Sequence, residues 1–413
     1  MTTDLAAVVR YLQSPQAIRD RCDQIFQLAV ADKTPHFRYS PEQLEPTANY
    51  VLQVIEHHYP AGNIPFHSRW RHFEVGTGDR LTQLTQKLQA FEPREQARIK
   101  FDLVIISVLL DAGAGAQWRY LEPHTDAVWR RSEGLAIASF WSFWQGVFAL
   151  DPQQLLQVDA RRLQSLTLAE LAEAFQATPQ NPLVGLEGRL HLLQKLGQVM
   201  LDQPEVFACG SGAIRPGGMV DYLLAQSQNQ QLAATTVLQT VLQCLGAIWP
   251  GRASLATTNL GDVWHYPHLP EHDPGSQLVP FHKLSQWLTY SLLEPLQALG
   301  LTITDLDQLT GLAEYRNGGL CLDLGLLAPK NPDILQRSHR PNSDIVVEWR
   351  ALTLICLDRI AESIRKQLGE TAQTLPLVKI LQGGTWTAGR QLAQEHRLGG
   401  GPPLQIESDG TVF

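Results

Sequence analysis

A chain of 413 residues, 44% hydrophobic and 18% charged, carries ample apolar material for a sizeable core, which excludes wholesale disorder. Its 33 Lys and Arg against 41 Asp and Glu leave a net charge of −8. That balance excludes a broad nucleic-acid surface, which needs clustered cations to displace phosphate counterions.

The hydrophobic pattern predicts a mainly α fold, one large helical domain over residues 5–413 with little β. Helical spacing runs over 4–32, broken at Ser14-Pro15 as an N-cap followed by a helix-starting proline. It recurs over 41–58 and 80–91. Residues 98–110 are apolar nearly all round, so a buried central helix is expected there. Further helical patterns cover 126–150, 159–177, 186–201, 219–227, 233–248, 282–299, 346–368 and 377–396. Strand signals are sparse. Residues 404–413 alternate weakly around the turn pair Asp409-Gly410, and 303–327 has room for a small hairpin. Residues 251–280, rich in Pro, His and Gly, read as a long functional loop. No apolar run is long enough for a bilayer span and the N-terminus shows no signal-peptide pattern. Five cysteines without a C-x-x-C pair point to buried thiols in a reducing cytoplasm. No membrane partner is expected.

Four segments interrupt the helical pattern with polar and aromatic residues. The first, residues 64–74, interleaves Trp70 with His67 and Arg69; its bland alternative is a capped helix start with an Arg69–Glu74 ion pair. The second places Asp111 where the most apolar helix ends, followed by Arg119 and Tyr120. Desolvation and the negative end of the helix dipole both disfavour a carboxylate there, so a cation is needed, with Arg119 the nearest in sequence. In the third, 279–290, Lys283, Gln286 and Tyr290 share one helical face beside His282 and Trp287. The fourth, 305–325, brings Glu314, Arg316 and Asp323 together around Gly318 and Gly319; two carboxylates beside a cation suit acid–base chemistry. The four are expected to form one site.

A metal is weighed and set aside. His265, His268 and His272 have the spacing H-x-x-H-x-x-x-H, but Pro267 and Pro270 interrupt it and no helical H-E-x-x-H is present. No Walker loop, G-x-S-x-G elbow or dinucleotide fingerprint appears. No cofactor is expected.

The strings F-H-S-R-W-R-H-F-E at 66–74, S-V-L-L-D-A-G-A-G at 107–115, V-P-F-H-K-L-S-Q-W-L-T-Y-S-L at 279–292 and L-T-G-L-A-E-Y-R-N-G-G at 309–319 resemble the uracil-catabolism protein four family. So do G-G-T-W-T-A-G-R at 383–390 and S-D-G-T-V-F at 408–413. The resemblance covers nearly the whole chain. It implies a place in the ring-opening route of pyrimidine degradation, in which a ribosylurea-type intermediate finally yields urea. A more distant resemblance is to queuosine salvage proteins, helical N-glycoside hydrolases similar to DNA glycosylases. Their segment D-I-D-E-x-T-x-F-A-D-Y-R-V-P-Q is matched here by Asp305, Asp307, Thr310, Ala313, Tyr315 and Arg316, with Glu314 in place of their Asp. Phe281, Lys283 and Gln286 match an upstream F-Y-K-R-A-Q. This likeness covers about a quarter of the chain and implies a DNA-glycosylase-like helical core.

Together these readings point to hydrolysis of ribosylurea, or its 5′-phosphate, to urea and ribose or its phosphate. Glu314 is the first candidate for the catalytic carboxylate, with Asp111 and Asp323 as partner acids. Lys283, Arg316 and Arg69 are candidates to hold a phosphate, and Gln286, Tyr290 and Tyr315 to hold hydroxyls. The rivals are a metal-dependent amidohydrolase using the histidine segment and a non-catalytic partner of pathway enzymes.

Overall fold

The structure, a computed structural model, describes residues 4–76, 78–210, 212–249 and 252–407. The motif at 408–413 and its Asp409-Gly410 turn lie outside these residues. Helix makes up 56% and strand 9%, so the fold is mainly α. No helix among the described residues is long and apolar enough to cross a membrane. All five cysteines are buried thiols.

The chain groups into two compact units interleaved in sequence. The first holds Met1–His67, Gly251–Gln286 and Asp305–Glu407; the second is chiefly Ser68–Pro250 and Trp287–Thr304.

In the first unit the long helix Asp344–Leu368 packs against Pro15–Val30, Leu44–His58 and Tyr315–Asp323. Ser14 caps Pro15–Val30 as the sequence pattern predicts, its hydroxyl accepting the Ala17 N–H at 3.1 Å. Tyr315–Asp323 lies flat on Trp386–His396 because position 389 is glycine: a Cβ there would sit 2.3 Å from the Arg316 carbonyl oxygen. Residues 377–396 are helical, with a π-type turn at Leu381–Thr385. Its Gly384 accommodates Val51 and Ile55 of Leu44–His58.

Two expectations are corrected here. Residues 252–280 form two small antiparallel hairpins, Ser254–Leu255 with Thr258–Asn259 and Val263–His265 with Leu278–Pro280, rather than an open loop. Residues 303–327 contain no hairpin among the described residues. Leu327–Pro329 pairs instead with the distant Phe37–Tyr39, and Thr302–Thr304 pairs in parallel with Gln231–Ala233 of the second unit.

The second unit is built on Pro93–Leu109, buried at every position from Phe101 to Leu109, as its all-round apolar pattern requires. It packs against Arg131–Trp144 and Arg69–Phe73. The helix expected over 159–177 is two helices, Ala160–Ser165 and Leu168–Ala174. The break comes from a capping box, Thr167 with Glu170, which starts the second helix afresh.

Candidate active site

Glu314 is the N-cap of Tyr315–Asp323. Its two carboxylate oxygens accept the backbone N–H groups of Arg316 and Asn317, each at 2.7 Å. The residue is 7% exposed. Burial raises its pKa above the ordinary value; the two N–H bonds and the charges of Lys283 and Arg316 act the other way without cancelling the rise. Desolvation here outweighs the neighbouring Arg316 cation, whose charge alone would make the carboxyl ionise more readily. A carboxylate of raised pKa is a stronger base, and the helix N-terminus favours its charged form.

Lys283, first residue of the helix Lys283–Ala298, also acts on His67. Burial lowers the His67 imidazole to about 4; the Gln382 hydrogen bond opposes this and the Lys283 charge adds to it. His67 Nδ1 lies 2.9 Å from Gln382 Oε1, and its ring is 5.5 Å from that of Trp386. The guanidinium of Arg316 stacks over Tyr315 at 5.2 Å and over Trp386 at 5.6 Å. Glu314, Lys283, His67, Arg316, Tyr315 and Trp386 thus make one polar and aromatic group within the first unit.

Neutral His67 has a consequence for stability. Between its folded pKa of about 4 and the unfolded value of about 6.5, the unfolded chain binds more protons, so stability rises with pH. Acidification from pH 7 to 5 is expected to cost about 2 kcal/mol through this one residue. In His67→Gln the slope of denaturation free energy against pH over that range should flatten by about that amount. An unchanged slope would show that His67 is protonated in the folded protein.

Arg350 positions both Lys283 and Glu314. Its guanidinium forks onto Asp262 with two bonds of 2.8 Å, and its Nε donates to the Ala313 carbonyl at 3.2 Å. Asp262 in turn accepts the Lys283 backbone N–H at 3.0 Å. Burial pushes the Asp262 carboxyl up, but Arg350, Trp264 and the Lys283 amide outweigh it and hold the carboxyl well below the usual range. Sequence reading missed both residues, because neither stands in a local motif. Gln286 serves the same frame: its amide donates to the Thr310 hydroxyl and accepts the Thr310 N–H at 3.4 Å. That amide is taken up structurally rather than presented to a ligand.

In the second unit Asp111 does find a cation, but it is Arg69, 2.9 Å away, not Arg119. Ser132 donates to both Asp111 oxygens, at 2.7 and 2.9 Å. Arg69 is fully buried, donates from Nε to Ser107 at 2.7 Å and lies 5.4 Å from the Trp287 ring. Its Nη2 has no hydrogen-bond partner among the described residues. The Arg69–Glu74 pair weighed from sequence is replaced by Arg71–Glu74 at 3.1 Å. Arg189, also unforeseen, donates to the carbonyls of Leu110, Ala112 and Gly113 and so satisfies the end of the helix Pro93–Leu109. Arg119 is exposed, its N–H bonded to Asn181.

Other candidates serve the fold. Asp323 ends the helix that Glu314 begins, nine residues on and roughly 13 Å along the axis at 1.5 Å per residue. Both its oxygens are held by Arg397, at 2.7 and 2.6 Å. It is therefore corrected from partner acid to ion-pair residue, since paired glycosidic carboxylates stand no more than about 9.5 Å apart. His282 is buried and bonded to the Leu12 carbonyl at 2.8 Å. Trp70 donates to the Ser291 carbonyl at 2.8 Å. Tyr290 is fully buried in the second unit, and Tyr120, also buried there, pairs with Trp129 in a short ladder. His265, His268 and His272 do not gather as a set: His265 Nε2 contacts Gln277 at 3.0 Å, while His268 turns toward Asp344.

Residues 11–413 match a family described as "Protein of unknown function (DUF1688)". The chain is 38% identical to Protein urg3 of Schizosaccharomyces pombe, over 98% of this chain and 99% of that protein. It is 34% identical to Uracil catabolism protein 4 of Lachancea kluyveri, again over 98% and 99%. Both matches span nearly the whole of each chain, and that coverage at 34–38% identity places the chain in the uracil catabolism protein 4 family.

Proposed function

We propose that this protein acts in uracil catabolism, and that its reaction is hydrolysis of the N-ribosyl bond of ribosylurea or its 5′-phosphate. The coarser part is supported by the name of its Lachancea kluyveri relative. The finer part rests on one observation: a buried carboxylate of raised pKa, Glu314, ringed by Lys283, Arg316, neutral His67 and aromatic faces.

Breaking a ribose–nitrogen bond builds positive charge at the anomeric carbon. A carboxylate fixed by two N–H bonds is preorganised to stabilise that charge and to accept a proton from attacking water. The water hydroxyl goes to the ribose and its proton to the departing urea nitrogen. Lys283 and Arg316 supply the positive charge that a 5′-phosphate requires.

The test is incubation of the purified full chain with ribosylurea and with its 5′-phosphate. Urea and the matching sugar are expected in equal amounts, with activity retained after chelator treatment. Ammonia in place of urea would favour the amidohydrolase rival. No turnover of either compound would overturn the reading in favour of a non-catalytic role.

A further inference from the structure

We propose that His36, His268 and Asp344 form a three-ligand site for a divalent cation of the zinc type. Their donor atoms come from three separate parts of the first unit and lie within 4.8 Å of one another. The Nε2 atoms of His36 and His268 are 2.9 and 3.5 Å from Oδ2 of Asp344. Ligand atoms bound tetrahedrally at about 2.0 Å from one zinc stand roughly 3.3 Å apart, so these separations are those of a shared ion.

Both histidines face the same carboxylate. His36 Nε2 is shielded from solvent. Burial pushes the Asp344 carboxyl up, but both imidazoles act on it and hold it below its usual range. Two imidazoles and one carboxylate suit zinc, cobalt or nickel over magnesium or calcium.

The surroundings hold the three residues in place. Glu348 follows Asp344 by one helical turn and is fully buried. One of its oxygens accepts the backbone N–H groups of His36 and Phe37, at 3.1 and 2.7 Å; the other accepts the Tyr266 hydroxyl at 2.6 Å. Gln277 clamps the turn around His268 by donating to the carbonyls of Pro267 and Leu269, at 3.2 and 2.8 Å. A single buried carboxylate thus sets the backbone of one histidine and the approach of the other, as supporting residues do in metal sites. The ion would fasten the hairpin Val263–His265/Leu278–Pro280 to the start of Asp344–Leu368, and it takes no part in the ribosyl chemistry proposed for Glu314.

The experiment strips the full chain with a chelator, dialyses it and titrates zinc in competition with a chromophoric chelator. Cobalt spectra and thermal melts are taken alongside. Wild type and His272→Ala, an exposed histidine of the same segment, are expected to bind one zinc with equal affinity and to melt higher with it. His268→Ala and Asp344→Asn should bind at least tenfold more weakly and lose both the cobalt spectrum and the zinc-dependent rise in melting. Urea release by His268→Ala should match wild type, whatever the outcome for Glu314. Equal zinc affinity in wild type and His268→Ala would overturn the site. Loss of urea release together with zinc would overturn its separation from the chemistry.

Discussion

Glu314→Gln is expected to lower urea release per folded molecule by on the order of a hundredfold or more, and also to destabilise the protein by about 1 kcal/mol. Both effects follow from the same two hydrogen bonds. The glutamine keeps one oxygen, so one of the N–H groups of Arg316 and Asn317 meets an amide nitrogen that cannot accept. The charge that favours the helix N-terminus disappears as well. Turnover loses the group that balances the developing oxocarbenium charge. Glu314→Asp separates the two roles. Aspartate is a favoured N-cap, so that variant should melt closer to wild type than the glutamine variant does. Its carboxylate is one methylene shorter, and turnover should fall between the other two. Rates measured well below each melting temperature decide the matter. If Glu314→Gln loses activity only in proportion to its unfolded fraction, Glu314 is a helix cap and nothing more.

What sequence made legible was local. Ser14 and Pro15 act within one turn, so the helix start they mark was readable without the fold. The Thr167–Glu170 capping box lay equally in view, but the apolar spacing across 159–177 masked it. The need of Asp111 for a cation followed from its place at a helix end; its partner did not, because Arg69 reaches it through the packing of Arg69–Phe73 on Pro93–Leu109. Proximity in sequence wrongly favoured Arg119. Glu314 was singled out for its neighbour Arg316, yet backbone N–H groups, which no side-chain pattern reveals, are what hold it. Gly318 and Gly389 are where Trp349 and the Arg316 carbonyl press against a helix, a demand that only the packed fold reveals. The histidine spacing at 265–272 does not become a set in the fold, because His268 faces Asp344 and the ring of His36 rather than His265 and His272.

The other large effect is expected at Arg350, which touches no candidate substrate group. Arg350→Met should destabilise the protein by about 3–5 kcal/mol, the usual result of removing one member of a buried pair. It leaves Asp262 buried with Trp264 and the Lys283 amide but without its guanidinium. Asp262 would then be driven toward protonation by the burial that Arg350 now outweighs. The pH dependence should change with it. In the wild type the depressed Asp262 pKa contributes stability that is present above the unfolded value of about 4 and is lost as pH falls through the folded value. The variant should lack that acid-side loss while being weaker at neutral pH. Arg350→Met combined with Asp262→Leu removes both charges, so it should recover much of the lost stability. It should not recover urea release, because the start of Lys283–Ala298 and the Ala313 carbonyl beside Glu314 would still lack their common anchor. Denaturant melts at pH 7 and pH 3, with urea release measured at pH 7 on the folded double variant, test this directly. Full activity in the double variant would show that Arg350 stabilises the fold without placing Lys283 and Glu314.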